Sequence, residues 1–155
     1  MGNSKATNDE KYDCLRLKNQ LCFPLYACSK EIVRRYKPYL DKIDLTYTQY
    51  ITMMVLWEKG QVSVKELGEK LMLDSGTLTP VLKKLEQKGY LTRSRDKDDE
   101  RVLNVTLTPE GDALKDQAVD IPKQMGCCMK LSPEDAEVLY KVLYKVLQSL
   151  GPVEE

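Results

Sequence analysis

The chain has 155 residues, the size of one ordinary domain, which excludes a large multidomain enzyme. It is 42% hydrophobic and 31% charged, enough apolar content to form a buried core. Its 24 basic and 24 acidic residues cancel, so the total charge does not indicate a nucleic-acid partner. The sequence has neither an apolar run long enough for a membrane span nor an apolar signal core, so we expect a cytoplasmic protein with no membrane partner.

Histidine is absent, which excludes Ser-His-Asp and Cys-His catalytic sites and zinc sites with a histidine ligand. Close Cys-x-x-Cys spacings, phosphate-binding loops and dinucleotide-binding glycine motifs are absent too. We therefore expect a protein that is not an enzyme, with no catalytic residue, metal site or cofactor. The five cysteines are an odd number in a chain without a secretory signal, which favours reduced thiols that are available for redox chemistry.

The first predicted helix covers about residues 14–37, where apolar residues recur at spacings of three and four on one face. Pro38 is expected to end this helix. Pro24 fits awkwardly inside a continuous helix, so it could mark a kink or a fresh start just after Cys22. The sequence leaves open whether the helix is continuous across this proline.

Three shorter helices are predicted in the middle of the chain. One covers residues 46–57 and stops at Gly60, because glycine suits the left-handed helix cap. A capping-box pattern, Ser-Val-Lys-Glu, opens the next at residues 63–72. An Asp-Ser cap then precedes a helix over residues 75–88. The last two helices form a candidate helix-turn-helix.

A β-hairpin is predicted directly after this helix pair. Residues 90–95 and 102–107 are β-like, and the second segment alternates apolar and polar residues beyond a charged tip. In the winged-helix arrangement, one helix enters the major groove of DNA and the hairpin reaches the flanking backbone or minor groove. The predicted fold class is therefore mainly α with a small β-hairpin wing, a winged helix-turn-helix.

Two further helices complete the predicted fold. Their start signals are Thr108 and Ser132, each followed by proline and glutamate. The last helix ends at Gly151, and its apolar stripe is wide for so short an element, so part of it is expected to face a second subunit. A dimer formed by the terminal helices is favoured over a closed monomeric helical core.

Charge is unevenly distributed along the chain. Residues 81–95 contain five basic side chains and one acidic one, whereas residues 109–155 contain five basic and nine acidic ones. The basic residues could be only the solvated face of a helix. The small polar residues that open the helix at 75–88 favour DNA binding instead, because they allow close approach to phosphates and bases. The predicted DNA contacts in this region are Ser75, Thr77, Thr79, Lys83, Lys84, Arg93 and Arg95.

Residues 73–93, followed by an Asp-x-Arg element and by residues 105–111, resemble the MarR family of dimeric winged-helix regulators. The resemblance implies a homodimer that binds double-stranded operator DNA, with a recognition helix that begins near Ser75. It also implies that Arg101, in the wing, inserts into or near the minor groove while Asp99 helps to hold it.

Residues 19–26, 36–41 and 46–50 resemble the OhrR branch of that family, the sensors of organic hydroperoxides. The resemblance implies that Cys22, in the first helix, is the reactive thiol. Two-cysteine members of the branch carry a resolving cysteine in a late helix of the other subunit, and Cys127 or Cys128 matches it. Adjacent cysteines point about 100° apart on a helix, so only one is expected to face Cys22, and we favour Cys127.

By the same resemblance, Tyr36 and Tyr47 donate hydrogen bonds to the thiol and Tyr26 lines the pocket. Phe23 lies in an apolar stretch that suits an alkyl or lipid hydroperoxide. Cys22 and Tyr36 are 14 residues apart, which is about 21 Å along one straight helix. If Tyr36 bonds to Cys22, it must come from the partner subunit.

The predicted organisation is a disordered N-terminus at residues 1–12, one MarR-type domain at 13–151 and a disordered tail at 152–155. Within the domain, we expect two sets of dimerisation helices around a winged helix-turn-helix; these parts are residues 13–45, 109–151 and 46–108, respectively. The predicted function is a repressor that releases operator DNA when Cys22 is oxidised and forms an intersubunit disulfide. The alternatives are a repressor controlled by a reversibly bound aromatic ligand and a thiol peroxidase.

Overall fold

The computed structural model describes residues 11–151, which fall into two units divided between Lys37 and Pro38. Residues 1–10 and 152–155, most of the predicted disordered ends, lie outside the described residues. No helix within 11–151 is both long and apolar enough to cross a membrane.

The first unit begins with two short 3-10 helices, Asp13–Leu15 and Leu17–Asn19, and continues into helix α1, Cys22–Leu40. The prediction of one helix from residue 14 is therefore wrong. The backbone is extended at Arg16 and at Gln20, which interrupts the helical hydrogen bonds although the apolar spacing continues. The fresh start near Pro24 is confirmed, because this proline lies in the first turn of α1, where a backbone amide has no helical acceptor to lose.

Helix α1 also continues past its predicted end. Pro38 lies inside it, and the helix stops at Leu40. Only one backbone donor is lost at Pro38 in this last turn, and the side chain of Leu40 is fully buried. A 3-10 turn, Asp41–Ile43, follows, and Asp44 adopts a left-handed conformation with φ of 51°.

The next three helices begin and end where their local signals predict. Thr46 forms a reciprocal capping box with Gln49, and Gly60 ends its helix with a φ of 72°. Ser63 accepts a hydrogen bond from the amide of Glu66, and Asp74 caps the third helix. These helices are α2 (Tyr47–Lys59), α3 (Val64–Leu71) and α4 (Ser75–Gln87).

The sheet has three antiparallel strands, in the order β1, β3, β2. Strands β2 (Leu91–Arg95) and β3 (Leu103–Leu107) form the predicted hairpin. The third strand, β1 (Gln61–Ser63), was not predicted; it pairs with β3 so that Val62 lies opposite Val105. Both valines are buried, so β1 joins the hairpin to the helices on either side of it.

The segment after the wing is divided where one helix was predicted. Its elements are α5 (Pro109–Ala113), α6 (Lys115–Ala118) and α7 (Ile121–Met129), and Pro122 is in the first turn of the last of them. Because proline has no amide hydrogen, it is tolerated in a first turn and interrupts a longer helix. Thr108 caps α5, and Ser132 caps the final helix α8 (Pro133–Leu150), as predicted.

The hydrophobic core lies where α2, α3 and α4 pack on one another and on the sheet. This packing makes the helix-turn-helix and the wing one body. The side chains with less than 2% exposure are Leu40, Thr52, Met53, Leu56, Leu67, Leu78, Leu82, Leu85, Leu91, Val105 and Met125. Helix α8 contributes no buried residue, and its apolar stripe is exposed in the single chain.

Candidate nucleic-acid interface and thiol site

The first turn of α4 carries the small polar residues expected to approach DNA. The Asp74 carboxylate accepts hydrogen bonds from the amide of Thr77 at 2.7 Å and from its hydroxyl at 2.9 Å, which lowers the pKa of Asp74. The Thr79 hydroxyl donates to the carbonyl of Ser75 at 2.7 Å. Ser75, Thr77 and Thr79 are all exposed, so this end of the helix is capped and accessible.

The lysines of α4 and its cap have two different environments. Lys83 and Lys84 are exposed. Lys88 is 25% exposed, and its Nζ lies 2.9 Å from Oδ2 of Asp44 and also donates to the Asp44 carbonyl. Lys88 therefore anchors the turn before α2, whereas Lys83 and Lys84 present their charge to solvent.

Arg93 joins α4 to strand β2. Its Nη2 and Nε lie 2.6 and 3.0 Å from Oε2 of Glu86, and its backbone amide donates to Oε1 at 3.0 Å. These bonds hold the pKa of Glu86 below its ordinary value. The Arg93 side chain is 22% exposed, so its position is structural, and its predicted contact with DNA stays a prediction.

The tip of the wing carries an exposed arginine, Arg101, that is paired with Asp99. Nε and Nη2 of Arg101 donate to the two carboxylate oxygens of Asp99 at 2.9 and 3.0 Å, and its side chain is 90% exposed. Asp99 and Arg101 thus form the pair that the sequence resemblance implied. Arg95, also exposed, donates from Nη1 to the carbonyl of Glu100 at 2.8 Å, which ties the strand to the tip.

Sequence reasoning missed Asp96, which directly follows β2 at the start of the wing loop. Its carboxylate accepts hydrogen bonds from the amides of Asp98 and Asp99 and from the side chain of Asn104, and these bonds lower its pKa. An aspartate at the start of a polar turn is the signal for such an Asx turn.

Cys22 is the first residue of α1 and is exposed. Tyr26 follows one turn later, so it lies on the same face of the helix, and Phe23 and Tyr26 are 43% and 65% exposed. Tyr36 is on the same helix, about 21 Å further along at 1.5 Å per residue. It therefore cannot touch Cys22 of its own chain.

Tyr47 opens α2 in the second unit. It is half-buried, and this burial raises its pKa above the ordinary tyrosine value. Its hydroxyl therefore remains protonated and able to donate a hydrogen bond at neutral pH.

The two late cysteines lie at the end of α7 and differ in surroundings. Cys127 is exposed. Cys128 is partly buried, donates to the carbonyl of Gln124 at 3.4 Å, and lies 4.0 Å from the hydroxyl of Tyr39. The contact with Cys128 raises the pKa of Tyr39. Tyr39 was not singled out in the sequence, because only folding brings it to α7. Between residues 11 and 151 no cluster of potential metal ligands occurs.

Comparisons with known proteins agree with this architecture. The family model described as transcriptional regulator SarA/Rot matches residues 34–118. The organic hydroperoxide resistance transcriptional regulator of Bacillus subtilis is 49% identical over 92% of this chain and 97% of its own. The regulator SarZ of Staphylococcus aureus is 50% identical over 77% of this chain and 81% of its own.

Solved structures of AbfR, from Staphylococcus epidermidis, are also similar. Reduced AbfR bound to DNA has a TM-score of 0.74 and 34% identity, covering 90% of this chain and 98% of that one. AbfR has also been solved in an overoxidized form bound to DNA and in a disulfide form. By its family model, its relatives and its motifs, the chain belongs to the SarA/Rot and MarR transcriptional regulators and is an OhrR-like member of them.

Proposed function

We propose that this protein is a homodimeric transcriptional repressor that binds double-stranded operator DNA when reduced and releases it when an organic hydroperoxide oxidises Cys22. The position of Cys22 carries the proposal: it is an exposed thiol at the first residue of α1, in a chain 49% identical to an organic hydroperoxide resistance regulator. As a DNA-binding regulator it works in the cytoplasm and is not an enzyme.

The DNA-binding part is residues 46–108. The exposed first turn of α4 enters the major groove, Lys83 and Lys84 contact phosphates, and Arg101 reaches the minor groove. Arg101 suits this role because its guanidinium is held by Asp99 yet 90% exposed.

The segments 13–45 and 109–151 form the dimer. The apolar face of α8 supports this assignment, because a monomer rarely leaves a contiguous apolar stripe exposed. Its large members that are more than a third exposed are Leu139, Tyr140, Leu147 and Leu150.

The first chemical step takes place at Cys22. The unpaired amides at the N-terminal end of a helix attract anions, and the neighbouring side chains of Phe23 and Tyr26 provide an apolar surface for an alkyl group. The Cys22 thiolate attacks the peroxide oxygen, the O–O bond breaks, and the alkoxide takes a proton and leaves as an alcohol. The product is a sulfenic acid on Cys22. Two tyrosines donate hydrogen bonds to the thiolate. They are Tyr36, which must come from the second copy, and Tyr47.

The second step is the attack of a late cysteine on this sulfenic acid. The new S–S bond replaces the S–O bond, and the hydroxide leaves as water after taking the proton of the attacking thiol. Cys127 is the better candidate, because it is exposed whereas Cys128 is partly buried and contacts Tyr39. Overoxidized AbfR is bound to DNA in its structure, which supports disulfide formation, rather than oxidation alone, as the step that releases DNA.

The test uses a duplex of about 30 base pairs, long enough for two half-sites one helical turn apart, selected by the reduced protein from a random-sequence library. In a gel-shift titration with cumene hydroperoxide, the wild type should release the duplex and the Cys22→Ser variant should retain it. Cys28→Ser is the matched control, because Cys28 is another exposed cysteine of α1, and it should respond as the wild type does. Release by the Cys22→Ser variant would show that Cys22 is not the sensor.

Non-reducing electrophoresis of the same samples identifies the resolving cysteine. The covalent dimer should be absent in Cys127→Ser and present in Cys128→Ser; the opposite pattern would assign the role to Cys128. Induction that survives alkylation of every thiol would instead favour a repressor controlled by a reversible ligand. Sustained peroxide consumption with an added reductant, beyond one equivalent per thiol, would favour a thiol peroxidase.

A further inference from the structure

Asp96 makes several of the hydrogen bonds that order the loop between β2 and β3. Its Oδ1 accepts hydrogen bonds from the backbone amides of Asp98 at 2.9 Å and Asp99 at 3.3 Å, and its Oδ2 accepts from the side-chain amide of Asn104 at 2.8 Å. Its own amide donates to the carbonyl of Val102 at 2.9 Å. One side chain therefore joins the start of the loop, its tip and the opposite strand.

The network continues from Asp99 to the wing arginine. The amide of Asp99 is held by Asp96, and the carboxylate of Asp99 accepts from the backbone amide of Arg101 at 3.1 Å and from its Nε and Nη2 at 2.9 and 3.0 Å. Asp99 thus binds one edge of the guanidinium, through Nε and Nη2. The rest of the guanidinium is open to solvent, since the side chain is 90% exposed. The direction in which Arg101 points thus depends on the backbone of Asp99, and that backbone depends on Asp96.

We propose that Asp96 is a positioning residue for operator binding: it fixes the wing loop in the conformation in which Asp99 presents Arg101 to DNA. This inference rests on the proposed function, because it assumes that the wing contacts DNA. A long exposed side chain loses conformational freedom when it binds, and a loop that is already ordered reduces this cost.

A simpler interpretation is that Asp96 is one of several solvated acids at an exposed tip. The hydrogen bonds argue against it, because both carboxylate oxygens of Asp96 have donors. The pKa of Asp96 is lowered mainly by the amide of Asp98 and by Asn104, although the nearby charge of Asp99 opposes this effect. Asp96 therefore remains ionised and bonded at the pH where the protein binds DNA.

The two interpretations predict opposite effects of removing the carboxylate. Asp96→Ala and Asp98→Ala each remove one negative charge from the wing, and charge alone would strengthen the binding of both to a polyanion. Asp98 contributes only its backbone amide to the network, so its variant is the matched control. We expect Asp98→Ala to bind the selected duplex as tightly as the wild type or more tightly, and Asp96→Ala to bind it about tenfold more weakly, the size of one impaired arginine contact.

Two further variants separate positioning from a general loss of structure. Asp96→Asn keeps an oxygen for the two amides and should restore most of the affinity. In an Arg101→Ala background, Asp96→Ala should cause little further loss, because its effect acts through Arg101. Circular dichroism and gel filtration check that each variant is folded and dimeric.

The outcomes are distinguishable from a failure of the proposed function. If the reduced wild type selects no duplex at all, the proposed function fails. If it binds and Asp96→Ala behaves like Asp98→Ala, or loses the same factor with and without Arg101, then only the role of Asp96 is wrong. A third outcome would also overturn the role of Asp96: Asp96→Ala unfolds, and Asp96→Asn folds but binds DNA weakly. The oxygen that accepts the two amide hydrogen bonds would then not be enough to support binding.

Discussion

Replacing Gly111 with alanine is expected to destabilise the junction behind the wing severely. Gly111 lies in α5, and a Cβ built on it would lie 2.0 Å from the carbonyl oxygen of Tyr90 and 2.9 Å from Cδ1 of Leu107. Since ordinary contact begins at 3.4 Å, the backbone would have to move by about 1.4 Å, well beyond what close-packed interiors accommodate without cost.

Such a movement breaks two hydrogen bonds at this junction. Nε1 of Trp57 donates to the carbonyl of Gly111 at 2.8 Å, and the amide of Thr108 donates to the carbonyl of Tyr90 at 3.1 Å. Each is worth about 1 kcal/mol net, and overpacking adds about 1–3 kcal/mol. Gly111→Ala should therefore lower the free energy of unfolding by about 3–5 kcal/mol, which corresponds to a Tm lower by about 10 °C.

The assay is equilibrium unfolding in urea, followed by the fluorescence of Trp57, the only tryptophan in the sequence. Protein concentration is held fixed, because the stability of a dimer depends on it. Gly126→Ala is the matched control: Gly126 is in α7, and no atom of the described chain outside its neighbours and its own helix backbone lies within 4 Å of an added Cβ. Alanine there should stabilise the helix by about 0.5–1 kcal/mol. A Gly111→Ala variant within about 1 kcal/mol of the wild type would refute the reasoning.

Two other predictions concern charge. Lys83→Gln and Lys84→Gln should each reduce the slope of log affinity against log salt by about one, as measured by fluorescence anisotropy with the selected duplex; an unchanged slope would mean that these lysines do not contact phosphates. The lowered pKa of Glu86 means that its pairing with Arg93 stabilises the fold above the ordinary glutamate value of 4.5 and that this stabilisation is lost as pH falls through the lowered value. The difference in urea midpoint between the wild type and Glu86→Gln should therefore be constant near neutrality and shrink in acid, and a difference independent of pH would contradict the assignment.

The features that the sequence predicted correctly are those set by neighbouring residues. The predicted caps Ser63, Asp74, Thr108 and Ser132 form because a side-chain oxygen needs only the amide three residues on. The pairing of Asp99 with Arg101 was implied by the resemblance to the MarR family, and it too is local, since only one residue separates the two. The helix pair and the hairpin were accordingly predictable in position, whereas the DNA contacts of their side chains stay predictions.

The features that it missed depend on the fold or on continuity of the backbone. The spacing of apolar residues before Cys22 indicates that they would share one face of a helix. It cannot show that the backbone is extended at Arg16, which interrupts that helix. Strand β1 has three residues, too few for an alternating pattern to be recognised. The hydrogen bonds between Glu86 and Arg93 and between Tyr39 and Cys128 join different elements, so no local sequence pattern predicts them. Charge alone predicted a DNA contact for Arg93, and its pairing with Glu86 could not be foreseen because Glu86 lies on a different element.

The short strand β1 has a mechanical consequence. It follows α2 and precedes α3, and it is bonded to β3 with Gln61 opposite Thr106 and Ser63 opposite Asn104. The hairpin therefore cannot swing about its base without breaking a sheet that is continuous with the helix pair. We therefore expect the helix pair and the wing to bind DNA as one body, and a redox signal to act on the separation and angle between the two copies of this body in the dimer. For the reduced protein, we expect an operator whose half-sites are moved by half a helical turn to be bound much more weakly, because the two bodies could no longer reach both half-sites together.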